Sequence, residues 1–446
     1  MVGDHVIGLD VGTSNVRSHV YDIEGEVMGS AADKVDILSP KPGWAEIDPE
    51  KLWNKVLEVL RESIREAGLN GNNVASIGIS SQRGTFTIWS RKTGKPFFNF
   101  ITWQDLRGAD LVKSWNQSIT MRAFRIGGKL LHWVTRKARF KAAGILRLSN
   151  DMVTMRLLWV MQNIPSVKKA VEAGDAMFGC VESWLLYKMT GRHMTEVSSI
   201  AATGLFDPFT MRYGMWVFNL FSLPISIMPE IVPSYGNHFG LMKVDILGNP
   251  IPIHAVLGDQ SASAFGSACY KPGMSKITMG TGSFLDVLTT SPHASLEGLA
   301  PFVAWNIDGE VLYLAEGSVH YTGVMLDWAR SIGLFANYDD ICDIDNEIPS
   351  SNGVYFVPGF GGLRAPIQDC RATAGFLGVT LSTTKKEMLR AVLESIVFSL
   401  AHLVEVFRAE TGRNLEYLVV DGGVARNDFI LQAIADSTGK LSLHMT

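Results

Sequence analysis

The chain carries one short construction twice. Residues 5–11, HVIGLDV, read as a buried strand that breaks at Gly12-Thr13-Ser14-Asn15 and resumes in the alternating VRSHVYD. Lys276 to Met279 read as a strand, Gly280-Thr281-Gly282-Ser283 break it, and Phe284 to Leu288 resume it. A Gly-Thr turn between two strands presents backbone N–H groups and a hydroxyl with no Cβ in the way, which suits phosphate oxygens. One copy alone is an ordinary hairpin. Two copies, one near the start of each half, predict an internal duplication with two phosphate-gripping hairpins facing a cleft. A length of 446 residues calls for two cores in any case.

Each hairpin has a carboxylate nearby. Asp10 ends the first strand, and Asp259-Gln260 follow the apolar run His254 to Leu257, with a small-residue helix expected over Ser261 to Cys269. Ligands of open α/β sheets bind at strand C-termini, so both carboxylates are placed for chemistry. The expected domains are 1–257 and 258–446. VASIGIS, residues 74–80, is a further buried strand leading into Arg83, which is either a surface residue or a holder of a polar substrate. Trp103 follows another apolar run and is either core or a pocket wall. Asp48-Pro49 opens a helix with Leu52, Trp53, Val56, Leu57, Leu60 and Ile64 on one face. Further helices are expected near 151–163 and 181–190, and over Gly317 to Arg330, where Gly323 allows close backbone approach. A capping box at Thr384 to Glu387 opens a long helix that ends by Gly412. The strand LEYLVVD then enters Gly422-Gly423, with Asn427 in the first turns of the next helix. A bare glycine pair there is either a nucleotide contact or a tight strand–helix turn.

Several function classes are excluded. The net charge of −4 gives no global pull toward nucleic acid. Cys180, Cys269, Cys342 and Cys370 are scattered, with no zinc-like spacing, which fits a reduced, cytoplasmic setting. There is no signal-peptide start and no apolar run long enough to span a membrane. No P-loop, protein-kinase, HExxH or GxSxG motif is present, so phosphoryl transfer here needs another fold. Residues 111–150 hold nine Lys and Arg and no Asp or Glu. That segment is either a solvated helical face or a docking patch for anionic lipid or an acidic partner.

Taken together, GLDVGTSNVR (8–17), PGWAEIDP (42–49), SSQRGTF (80–86), WQDLR (103–107), GDQSASAFG (258–266), MGTGSFL (279–285) and VDGGVARND (420–428) resemble the FGGY carbohydrate kinases, and among them the glycerol kinases. The resemblance implies two actin/hexokinase-like (ribonuclease H-like) α/β ATPase domains around a nucleotide cleft. It implies ATP-dependent phosphorylation of a polyol, glycerol to glycerol 3-phosphate first of all. By the same resemblance Asp259 is the catalytic base, and Arg83, Gln260, Trp103 and Phe284 bind substrate. Asp10 is associated with Mg²⁺ through water. Thr13, Ser14, Asn15 and Arg17 form the first phosphate hairpin, Thr281 the second, and Gly323, Gly423 and Asn427 contact nucleotide.

Three features depart from the family. Gly84 stands where glycerol kinases have Glu. No tyrosine precedes the 151–163 helix. The chain stops at Thr446, where the family continues for several more helices, which implies an incomplete second domain. These departures keep two alternatives open: a pseudokinase that binds nucleotide or a partner without turnover, and a kinase for another sugar. The sequence is also compatible with a homo-oligomer.

Overall fold

In the computed structural model the chain divides into two compact units, Met1–Ala262 with Val303–Val311, and Ser263–Phe302 with Leu312–Thr446. The structure describes residues 3–440 and 442–444, apart from 296, 297, 320, 342, 343, 364–366, 368 and 370. Cys180 and Cys269 are buried free thiols, whereas Cys342 and Cys370 lie outside the described residues.

The first unit is built on β1 (His5–Val11), β2 (Asn15–Tyr21) and β3 (Val27–Lys34), an antiparallel series. Val74–Ser81 adds parallel to β1, and Ile253–Gly258 adds parallel to Val74–Ser81. Alternation in β1 sends Ile7, Leu9 and Val11 into the core. Helix α1 (Pro49–Glu66) connects β3 toward the parallel strands. Asp48 caps it, accepting from the Glu50 and Lys51 amides. Of its stripe, Leu52, Trp53, Val56, Leu60 and Ile64 are buried, each side chain worth about 1.5–3 kcal/mol of transfer free energy, whereas Leu57 is half-buried at the edge of the core. Gly29 in β3 lets this helix lie close, because a Cβ there would meet the Ser63 carbonyl oxygen at 2.2 Å. The Ser18 and Ser63 hydroxyls, 2.7 Å apart and buried, fix helix to sheet. A second, four-stranded sheet in this unit runs in the order 46–47, 100–101, 86–90, 176–180. Residues 109–145 form three helices: α2 (Ala109–Gln117), α3 (Ile119–Thr135) and α4 (Ala138–Ile145).

The second unit repeats the first sheet's topology. Ser275–Met279 and Ser283–Thr289 form the hairpin, and Glu310–Val319 pairs antiparallel beyond it. Leu418–Asp421 lies parallel on the other side, followed by Ser442–His444. Apart from Ala300–Ile307, a sixth strand at the outer edge of the second sheet, the strands of both sheets follow the same order, the hairpin's first strand lying between its second strand and a parallel one, with a helix in the connection that leads to the parallel strands. In the second unit that helix is Lys385–Thr411, capped by Thr384 and Glu387. Its buried side includes Val392, Leu393, Ile396, Leu400 and Leu403. The duplicated α/β architecture expected from the two hairpins is what the chain adopts.

Two element expectations need correction. The helix expected from Gly317 starts at Gly323, because Gly317 to Val319 are still a strand, Gly317 opposite Leu285. A Cβ on Gly317 would meet Leu299 at 2.9 Å and Leu403 at 3.0 Å, so this glycine serves packing on the sheet. The helix expected from Ser261 begins at Asp259 and ends at Gly266. An acidic residue in a first helical turn complements the partial positive charge of the exposed amides.

Candidate active site

In the first unit the chemistry gathers at the carboxyl ends of three neighbouring strands. The register sets Asp10 opposite Arg17 in β2 and opposite Ser80 in the next strand. The Asp10 carboxylate accepts from Ser80 Oγ at 3.0 Å and from Arg17 Nη1 at 3.3 Å. It keeps about a third of its side chain in solvent, 36 %. One strand further, Gly258 pairs with Ser81. That register brings the residues just past each strand end together, and Arg83 Nε lies 3.5 Å from Asp259 Oδ1. Gly258 makes this approach possible, since a Cβ there would meet the Arg83 side chain at 2.8 Å. The Gln260 backbone N–H donates to Asp259 Oδ1 at 2.8 Å, and both residues are half-buried.

Gln82, buried, ties the hairpin to this edge. Its backbone N–H donates to Val11 O at 2.9 Å and its side-chain amide to Gly12 O at 3.0 Å. Its Oε1 accepts from Thr85 Oγ1 at 2.8 Å and Thr13 Oγ1 at 3.4 Å. Trp103 is anchored here as well, its indole N–H donating to Thr13 Oγ1 at 2.9 Å. The Thr13 hydroxyl is therefore engaged within the protein on both its donor and acceptor sides. Ser14 is exposed at the turn and Asn15 is the first residue of β2.

A buried network supports the strand end beneath Asp259. Gly258 N–H donates to Ser198 Oγ at 2.9 Å, and Ser198 Oγ donates to Glu196 at 2.6 Å. Glu196 also caps its own short helix, accepting from the Ser198 and Ser199 amides, and takes a bond from Ser234 Oγ. Burial pushes its carboxyl up to about 7, against the lowering effect of these hydrogen bonds. Glu196 is absent from the residues singled out in sequence. The available signal was a Thr-Glu-Val-Ser-Ser run, an acidic residue followed by two hydroxyls.

Gly84 occupies the left-handed region at φ +70°. A Cβ there would face Trp103, the Asp151 carbonyl and Arg156 at 3.5–3.7 Å. Arg156 is fully buried, donating to the carbonyls of Thr102 and Asp151, and burial lowers its guanidinium to about 10. A buried cation thus ties the backbone just before Trp103 to the Asp151 carbonyl, beside the position that carries no carboxylate.

The second unit has its own arrangement. Gly280 N–H closes the turn on Gly282 O at 2.9 Å, and Thr281 is exposed at the tip. The hairpin carbonyls receive the start of the Gly323–Ser331 helix: Gly323 N–H donates to Gly280 O at 3.0 Å and Val324 N–H to Thr281 O at 3.3 Å. Gly323 is a close-approach residue, since a Cβ would meet Gly280 O at 2.8 Å. Phe284 is half-buried in the strand after the turn, opposite Thr278 and Ser318. Gly422, at φ +97°, presses on the end of the hairpin's first strand, where its Cβ would meet Met279 O at 2.4 Å. Gly423 therefore lies beside the hairpin base. Asn427 is buried and engaged: its Nδ2 donates to Ile341 O at 2.9 Å, and its Oδ1 caps the Asp428–Thr438 helix at Ile430 N. The turn is further fixed by Lys276 Nζ on Asp421 Oδ1 at 2.8 Å and Ser263 Oγ on Asp421 Oδ2 at 2.9 Å.

Comparison with known proteins accords with this geometry. Residues 5–266 match the N-terminal domain of the FGGY family of carbohydrate kinases, and residues 275–444 match its C-terminal domain. The chain belongs to the FGGY family of carbohydrate kinases, and is a kinase that uses ATP on a small sugar or polyol. Among curated relatives, glycerol kinase 5 of Danio rerio is 44% identical over 438 residues, 98% of this chain and 83% of the relative. Glycerol kinase 5 of Homo sapiens is 41% identical over 97% of this chain and 82% of its own length. The crystal structure of Plasmodium falciparum glycerol kinase with ADP superimposes with a TM-score of 0.87 at 28% identity, covering 99% of this chain and 86% of that one.

Proposed function

We propose that this chain transfers the γ-phosphoryl group of ATP to a hydroxyl of glycerol or a closely related polyol, with Asp259 as general base. The pairing of Asp259 with Arg83 at adjacent strand ends is the observation that carries this reading. A hydroxyl bound there gives its proton to the Asp259 carboxylate as its oxygen forms a bond to the γ-phosphorus. The bond from that phosphorus to the β–γ bridging oxygen breaks, and the electron pair leaves with ADP. Such a positioned base is worth about 10²–10⁴ in rate, and the remainder of phosphoryl-transfer catalysis is positioning and electrostatics. In the first unit Arg83 and Gln260 orient the substrate with Trp103 as an apolar wall, and in the second unit Phe284 is assigned to substrate by the family resemblance. In the first unit Ser14, Asn15 and Arg17 are assigned to phosphate, and in the second unit the exposed Thr281 and Gly423 are assigned to it. Gly323 and Asn427 act by holding the nucleotide-side backbone in shape.

Mg²⁺ fits Asp10. This single half-exposed carboxylate keeps acceptor capacity beyond its bonds to Ser80 and Arg17, and Mg²⁺ retains most of its waters when bound by one or two carboxylates. The ion supplies charge neutralisation on the phosphates when bound. The activity is assigned to the cytoplasm. Among the described residues no helix is long and apolar enough to cross a membrane.

The test is phosphoryl transfer measured over a panel of polyols and sugars. Glycerol is expected to give product, and Asp259→Asn to lower turnover by about 10²–10⁴. Near-normal turnover in that variant would remove Asp259 as base. Position 84 favours one second reading. With Gly84 there, the substrate edge lacks a carboxylate that would bind hydroxyls, at a cost on the order of 1–3 kcal/mol in binding. ATP binding without product from any member of the panel would select the non-catalytic reading.

A further inference from the structure

The segment 111–150 has nine basic residues and no carboxylate, and α3 lays part of that charge beside an apolar surface. One face of α3 packs inward. Met121 and Gly128 are buried, and a Cβ on Gly128 would meet the Gly144 backbone nitrogen of α4 at 2.6 Å. Phe124 on the same side stacks on Trp216 with ring centroids 4.7 Å apart. The opposite face is apolar and in solvent. Ile119, Ile126 and Trp133 recur at seven-residue spacing with exposures of 84 %, 59 % and 69 %, and Leu130 and Val134 beside them stand at 60 % and 71 %. Arg122 and Lys129 repeat at the same spacing in the adjacent row, Arg136 follows at the helix's left-handed C-cap, and all three are exposed. Residues seven apart lie nearly on one line along a helix, so the apolar row runs for about 20 Å with the basic residues beside it.

Soluble monomers rarely expose a contiguous apolar patch of this kind unless it binds something. We propose that α3 docks on the surface of an anionic lipid bilayer. The Ile119–Ile126–Trp133 row sinks to the level where headgroups meet acyl chains, and Arg122, Lys129 and Arg136 rest on lipid phosphates and carboxylates. Three features fit a flat lipid surface better than an acidic protein. The apolar row is straight and continuous along the helix. The apolar row contains a tryptophan, a side chain suited to the membrane–water interface. The charge is of one sign throughout the segment, and Arg139, in α4, pairs inward with Asp207 at 2.9 Å. A basic amphipathic helix of this type lies in the interface plane without spanning. The inference is independent of which polyol the kinase uses.

The full chain mixed with vesicles of phosphatidylcholine alone, and of phosphatidylcholine with phosphatidylserine, tests it by co-sedimentation. Binding is expected to the phosphatidylserine vesicles over the neutral ones, and to weaken with added salt. Each of Arg122→Gln, Lys129→Gln and Arg136→Gln is expected to lower the partition about fivefold. The surface pair Ile126→Ser and Trp133→Ser is expected to abolish it while leaving the melting temperature unchanged. Absence of sedimentation with phosphatidylserine vesicles overturns the proposal, as does equal binding to neutral vesicles or binding unaltered by these variants. Retention on immobilised polyglutamate with no vesicle binding would also overturn it, giving the face to an acidic polypeptide.

Discussion

Glu196 shows how one residue links the site to stability. Its carboxyl is fully buried and lifted from near 4.5 to about 7 by loss of solvent. In the unfolded chain it ionises near the ordinary value. Between these two values the native state holds a proton that the unfolded state has lost, so folding stability falls as pH rises through that window. The contribution is on the order of 3 kcal/mol, fully present below pH 4.5 and gone above about pH 7. Denaturant unfolding of the native chain and of Glu196→Gln at pH 5 and pH 8 checks this. The native chain is expected to lose more stability across the range, and equal losses would sink the assignment. Asp259 and Arg83 teach a different lesson. Their residue types were legible in sequence as a carboxylate and a cation at strand ends, but their partnership was not. They are 176 positions apart, and the Gly258–Ser81 register brings them to 3.5 Å.

Elements carry the backbone geometry that the site depends on. The Gly-Thr turns, α1 and the long Lys385–Thr411 helix were readable because each has a local cause: a glycine turn, an N-cap, an apolar stripe. Thr384 caps the long helix with its side chain on the Glu387 amide, and Glu387 returns the bond. Thr384→Ala is expected to lower unfolding stability by about 1 kcal/mol, read as a shift in the urea midpoint. Gly422 supports the other end of this unit's fold. At φ +97° and with Met279 O only 2.4 Å from a built Cβ, it has no room for a side chain. Gly422→Ala is expected to cost more than about 2 kcal/mol, seen as a lowered melting temperature. A neutral result would mean that the turn tolerates rearrangement. The strand end at Gly317 to Val319 was misread as helix because its register is set by pairing with Ser283–Leu285. Short apolar runs do not reveal such pairing by periodicity.

At the scale of the whole molecule, ligand linkage gives the broadest check. Nucleotide that binds the native chain and not the unfolded one is expected to raise stability by about 2.7 kcal/mol at 100 times its Kd. Thermal melting with and without ATP and Mg²⁺ reads this, and an unchanged transition would remove nucleotide from the proposed function. Two α/β units with matching sheets were legible from the repeated hairpins and the length, because strand, turn and helix signals are local. The same local signals marked Asp10, Asp259 and the Gly-Thr turns as candidates. The sequence by itself therefore determined most of the elements, the duplication and the kinase family. Tertiary structure decided which residues meet. Parallel register joined Asp259 to Arg83, packing committed Thr13, Asn427 and Gly323 to internal bonds, and burial made Glu196 a support beneath the site. It also turned the apolar row of α3 outward, because the helix's other face packs against α4. Such contacts join residues distant along the chain, where no local periodicity records them.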